Sequence, residues 1–242
     1  MNYEGTIFLP VMGLFRYIHQ QPIKNMRPFD LFSKKPAKAA PYKNEGINTV
    51  YDLLFCDKVQ LYKKTNNEPD VYPWTILLAE KPDPAELVKV SLDTTLESRA
   101  RALACNLLIA ARAKPDRKEI FGVITEVALP GGLDVLAAYS DRTARYINHS
   151  EKLLVWETRS EKSDEIIARL FQASVQVVNQ IGPWHKERRP FPTGGAVRLS
   201  FLVSDGLYFG EARFEVLQVD PMGGPVINVA AELMDFLTAQ KQ

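Results

Sequence analysis

The chain has 242 residues, 46% hydrophobic and 24% charged, enough for one large globular unit or two small ones with a sizeable core. Its formal net charge of +1 excludes a strong global field, and with it the coating of nucleic acid or adhesion to an anionic membrane as the main activity. Cys56 and Cys105 stand far apart in apolar contexts, and His19, His149 and His185 lack the spacing of zinc ligands. The expectation is therefore reduced, buried thiols in a cytoplasm, with no metal and no cofactor.

Residues 1–45 read as an arm and linker, disordered or loosely attached. Pro10, Pro22, Pro28, Pro36 and Pro41 interrupt any helix, and SKKPAKAAPYKN is a basic tether with too few charges for a nucleic-acid tail. The apolar run Ile7 to Phe15 is too short to span a bilayer, contains Pro10 and Gly13, and follows Glu4 instead of a basic segment. That argues against a secretory signal and against a membrane anchor. Met26 opens MRPFDLF and offers a second start, so residues 1–25 read either as an over-extended gene start or as a peripheral arm.

The remainder, 46–242, reads as a single globular unit. Val50, Leu53 and Leu54 space a short helix capped by Asn48, and a strand is expected from Val59 to Tyr62. Trp74 to Ala79 and Leu87 to Leu92 predict a hairpin around EKPDPAE. Thr94-x-x-Glu97 has the form of a capping box ahead of a helix with Leu96, Ala100, Leu103, Leu107 and Ala111 at helical spacing. Its second half, ALACNLLIAA, is apolar nearly all round, which places it centrally with Asn106 as a satisfied core amide.

A four-strand meander follows within residues 118–158. Pro130-Gly131-Gly132, Ser140-Asp141-Arg142 and Asn148-His149-Ser150 supply three tight turns between β-rich runs, and such short links dictate antiparallel pairing. Ser163 with Asp164 and Glu165 starts a second long helix, which Gly182-Pro183 ends with Gly182 in the left-handed cap conformation. Two strands, Val197 to Val203 and Ala212 to Leu217, flank SDGLYFG, and a helix runs from about Val226 to Thr238. The fold class is α+β, with a mainly antiparallel sheet, a central meander and long helices packed on it. Segments 48–113 and 163–239 share the order helix, strand, strand, helix that an old duplication would give, although no residue-level identity accompanies it.

Chemistry is sparse in this sequence. His149 and Ser150 with Asp141 invite a Ser-His-Asp reading, but no nucleophile elbow is present and an exposed turn histidine accounts for the pattern. Cys56 reads as core, not as a thiol nucleophile. The glycine pairs at 131–132, 194–195 and 223–224 lack a phosphate-binding register. The most unusual stretch is Gly182 to Pro192, GPWHKERRPFP, where Lys186, Arg188 and Arg189 are interleaved with Trp184, His185 and Phe191. Arginines beside aromatics suit an anionic ligand or a protein hot spot, or else a loop anchored by its aromatics with Arg188 and Arg189 paired to acids such as Asp205 or Glu211. The turn Ser204 to Glu211 adds Tyr208 and Phe209 close by.

YPWTILL, ARYINHSEKLLVWE, IGPW with ERRPFP, and SFLVSDGLYFGE resemble segments of a broad family of uncharacterised bacterial proteins, over roughly Asn48 to Leu237. The resemblance implies a bacterial, cytoplasmic, single-unit globular protein and no functional residue. The expected function is a non-catalytic binding or assembly module for an unidentified protein or anionic ligand, using Trp184, His185, Arg188, Arg189, Asp205, Tyr208 and Glu211. The alternative is a small hydrolase or ligand-binding enzyme using His149 or Asp205.

Overall fold

Six strands form one antiparallel sheet in the order β4-β3-β2-β1-β5-β6, in a computed structural model that describes residues 40–240 apart from residues 68, 114 and 116. The strands are β1 Ile120–Leu129, β2 Gly132–Tyr139, β3 Ala144–Ile147, β4 Leu153–Trp156, β5 Ala196–Val203 and β6 Gly206–Arg213. Among the described residues, five helices precede the sheet: α1 Glu45–Leu53, α2 Val59–Thr65, α3 Trp74–Leu77, α4 Pro84–Leu92 and α5 Ser98–Ala110. Helix α6, Glu161–Gln180, links β4 to β5, and α7 Phe214–Val219 and α8 Gly223–Ala239 follow β6. The fold is α+β, and its first four strands are the expected meander.

Strand β1 is central because both of its edges are used, one by β2 and the other by β5. Cross-strand partners share a face, so Ile124, Glu126 and Ala128 look the same way as Val135, Ala137, Arg198 and Ser200. Ile124, Ala128, Val135 and Ala137 belong to one apolar cluster with Tyr51, Phe55, Leu77, Leu87, Leu103 and Leu108 of the region preceding β1. The opposite face meets α6 and α8, which pack on each other, and Trp156 of β4 meets Phe236 of α8 edge to face at 5.6 Å.

Several expectations fail between residues 48 and 113, where every described regular element is a helix. The runs Val59 to Tyr62 and Leu87 to Leu92, expected as strands, belong to α2 and α4, and the run Trp74 to Ala79 forms the one-turn helix α3 and the turn after it. Helix α4 carries its own start signal, because the Asp83 side chain accepts the Ala85 N–H and Pro84 occupies the first turn, where its missing donor costs nothing. With no strand among the described residues of 48–113, the order helix, strand, strand, helix is not repeated there. The cap of α1 is Asn44, not Asn48, whose side chain instead bonds the backbone of Tyr42. The Thr94-x-x-Glu97 pattern does not close a capping box, since Glu97 makes no side-chain cap.

Ser160, and not Ser163, caps α6, with Ser163 completing a reciprocal capping box. The run after the 204–206 turn becomes strand earlier than expected, and Phe214 to Leu217 is helix. Tyr42, within the arm and linker expected over 1–45, is buried and donates its hydroxyl to Leu133 O at 3.0 Å. The expectations for residues 1–39 lie outside the described residues. Among those described, no helix is long and apolar enough to cross a membrane.

Candidate functional site

The loop 182–192 begins where α6 runs out. Gln180 is the last helical residue, Ile181 is extended, and Gly182 does not adopt the positive φ expected of it. The chain then docks on β6: Trp184 N–H donates to Leu207 O at 2.7 Å, and the indole N–H donates to Glu187 O at 3.0 Å. The Trp184 ring meets Phe209 edge to face at 5.2 Å.

From there the loop crosses the face that looks toward α1. Arg188 turns inward, with its side chain 11% exposed, and donates to Asp52 Oδ1 at 2.7 Å and Asp57 Oδ2 at 2.8 Å. Its guanidinium stacks on Phe55 at 3.9 Å. Burial works against that charge, but Asp57 and Asp52 outweigh it and hold the guanidinium above its ordinary pKa. Asp52 is pushed up by burial, yet hydrogen bonds from Lys58 and Arg188 more than offset this and keep its carboxyl below the usual range. The acids that hold Arg188 are thus Asp52 and Asp57, not Asp205 or Glu211.

Beneath the loop lies a row of charges. Arg198 donates to Glu211 Oε2 at 2.7 Å and to Pro190 O at 2.7 Å, so it fixes both β6 and the loop. Glu126, fully buried, sits across from Arg198 at 3.6 Å and accepts the Tyr51 hydroxyl at 2.6 Å. Its Oε2 has no hydrogen-bond partner, and burial is the largest influence raising its pKa, with Arg198 and Tyr51 opposing. The sequence signal for this row was available: Glu126 and Arg198 are single charges inside the apolar runs GVITEVAL and AVRLSFLV.

The residues predicted for binding therefore divide. Trp184, Arg189 and Glu211 gather round Phe209, with Arg189 6.0 Å from its ring centre and Glu211 held by Arg198. His185 and Arg189 are exposed, and Lys186 lies 5.5 Å from the Trp184 ring. Tyr208 points to the other face of β6, where its hydroxyl donates to Asp205 at 2.9 Å and Lys118 covers its ring at 4.7 Å. Burial first, and Asp205 second, push the Tyr208 hydroxyl up to about 12.

His149 is exposed in the β3–β4 turn, but its partner is Asp134 and not Asp141. Buried Asp134 Oδ1 accepts the His149 backbone N–H at 2.6 Å and lies 3.0 Å from His149 Nδ1, while Oδ2 accepts the Tyr146 hydroxyl at 2.8 Å. Asp141 is occupied by Ser98 N and Thr143. Ser150 donates to Asn148 Oδ1 at 2.9 Å, and the hydrogen bonds of His149 go to Asp134 instead. Cys56 and Cys105 are buried, and burial pushes each thiol up to about 12, which suits inert core residues. Asn106 donates to Cys56 O at 2.7 Å, as expected of a satisfied amide. No family model, no curated protein and no solved structure matches the chain.

Proposed function

We propose that this protein is a non-catalytic binding module whose contact surface is the half-exposed Trp184–Phe209 pair with Lys186 and Arg189 beside it. The observation that carries this reading is that neither cation has an acidic partner among the described residues, although both lie against aromatic rings. Arg188 and Arg198, by contrast, are both tied to carboxylates. A cation left without a counter-ion on an aromatic platform is suited to a carboxylate-bearing partner. Arg188 and Arg198 hold the loop so that little of its freedom is lost on binding. The partner class follows from the charge: an acidic protein segment.

The test is to purify the full chain and its Lys186→Glu, Arg189→Glu variant from the same source and to identify what is retained. Each retained component is then made separately and its affinity for both forms measured. A component that binds the wild type and loses at least about tenfold in affinity to the variant, a difference of about 1.4 kcal/mol, supports the reading. Equal affinities for both forms overturn it.

One observation favours a second reading, a ligand-binding or hydrolytic site at His149. A buried carboxylate at Nδ1 is the arrangement that orients a catalytic imidazole and leaves Nε2 to act. No hydroxyl or thiol stands within hydrogen-bond reach of that ring among the described residues, which is why this reading comes second.

A further inference from the structure

We infer that the free edge of β6, from Phe209 to Arg213, takes up an extended acidic peptide as an added strand. This deepens the binding reading above and rests on it. The geometry follows from the alternation of main-chain groups along an edge strand. Leu207 O is turned away from β5, since it accepts the Trp184 N–H from outside the sheet. Residues of equal parity share that direction, so the N–H and C=O groups of Phe209 and Glu211 also point outward.

Strand β6 ends the sheet order, and among the described residues no backbone hydrogen bond from outside the sheet reaches it beyond the one at Leu207. The loop covers the first outward position and then leaves the edge, because Arg188 carries it over the sheet face to Asp52 and Asp57. The result is a short ladder with one rung made and the next two vacant. Exposed ladder groups of this kind are what peptide-binding sheets use for affinity, with side-chain contacts beside the edge adding selectivity.

Charge decides the occupant. Phe209, Glu211 and Arg213 share a face, and Glu211 is neutralised by Arg198. Lys186, Arg189 and Arg213 make no ion pair among the described residues, and they flank the vacant rungs. The acids nearest in sequence are Glu187 in the loop and Glu215 in α7, which leaves the cations in excess. An incoming strand with acidic residues at alternate positions would set them on that same face, within reach of Arg189 and Arg213.

The test uses the full chain labelled for nuclear magnetic resonance, a capped hexapeptide alternating valine with glutamate, and a second alternating valine with lysine. The glutamate peptide should slow hydrogen exchange of the Phe209 and Glu211 amides by about tenfold or more while leaving the core strands unchanged. The lysine peptide should not, and Arg189→Ala should weaken the glutamate peptide by up to about fivefold. Shifts at Trp184 and Arg189 without protection of the two amides would overturn strand addition and leave the binding reading standing. Equal protection by both peptides would overturn the choice of an acidic partner, and no response to either would overturn the inference as a whole. Protection that is present without peptide and grows with protein concentration would assign the edge to a second copy of the chain, again overturning it.

Discussion

The guanidinium of Arg188 stacks on the Phe55 ring at 3.9 Å while gripping Asp52 and Asp57, so one residue ties α1, the turn after it and the loop between α6 and β5 together. Its neighbour Arg189 is exposed and meets no carboxylate among the described residues. Two adjacent arginines thus have opposite roles, the first structural and the second available.

Arg188→Ala should accordingly destabilise the fold by about 3 kcal/mol, because it leaves Asp57 without its cation and Asp52 with Lys58 alone, and removes the cover of an aromatic ring. Arg189→Ala should stay within about 0.5 kcal/mol of wild type. Urea unfolding of the two single variants separates them, and similar midpoints would show that Arg188 is not a clamp. The pH dependence follows from Asp52. Its folded pKa lies below the ordinary value, so its stabilisation is present above the usual aspartate range and is lost as pH falls through the folded pKa. Arg188→Ala should flatten that acid-side loss.

Glu126 carries the opposite sign. Its folded pKa is raised, chiefly by burial, so a proton binds it more readily in the folded state than in the unfolded one. The associated stability is complete below the ordinary glutamate value of about 4.3 and declines as pH rises through the folded pKa. Glu126→Gln keeps an acceptor for the Tyr51 hydroxyl and removes the buried charge, and Arg198 retains Glu211. The variant should lose that decline, so that its stability relative to wild type increases from pH 4 toward neutrality. Parallel stability curves across this range would refute the assignment.

Gly224 and Gly182 should respond in opposite ways to alanine. A Cβ on Gly224 would stand 2.6 Å from Gln218 O, a backbone atom that cannot move without opening the α7–α8 junction. Gly224→Ala should cost about 1–3 kcal/mol by overpacking. Gly182 has nothing within 4 Å of a built Cβ and no positive φ, so Gly182→Ala should be neutral or gain a few tenths of a kcal/mol from the unfolded state. Thermal melts of both variants are sufficient.

Asp134→Ala should destabilise by about 3 kcal/mol or more, since it leaves the Tyr146 hydroxyl and the His149 N–H without their acceptor. His149→Ala should cost about 1 kcal/mol or less, because the imidazole is half exposed and only its Nδ1 contact is lost. Any hydrolytic activity that disappears with His149→Ala while stability is retained would promote the second functional reading over the first.

Local signals carried the meander, whose turns are written in Pro130-Gly131-Gly132 and Asn148-His149-Ser150, and the long helices, whose stripes extend over several turns. They failed where apolar runs are short. Trp74 to Ala79 and Leu87 to Leu92 are rich in residues that suit strands, yet they pack as helices in the cluster around Leu103, and the Asp83-Pro84 start signal was the better guide. The aromatic-basic loop stood out in the sequence as unusual. What it did not disclose was which arginine turns inward, because Asp52 and Asp57 lie more than a hundred residues upstream of Arg188 and nothing local marks them as its partners.

The Glu126–Arg198 pair has a consequence for how the sheet assembles. Strand β1 acquires β2 through a tight turn, but β5 arrives only after β3, β4 and α6 have been laid down in the chain. An apolar strand docking late could settle in several alignments of similar burial. A slip of one residue would turn Arg198 to the opposite face beneath α6 and α8. A slip of two would keep the face but set it against Ile124 or Ala128, leaving Glu126 unmatched. Each misalignment strands desolvated charge at a cost of about 3–5 kcal/mol, so a pair that adds little net stability still penalises every alignment of β5 on β1 but the native one.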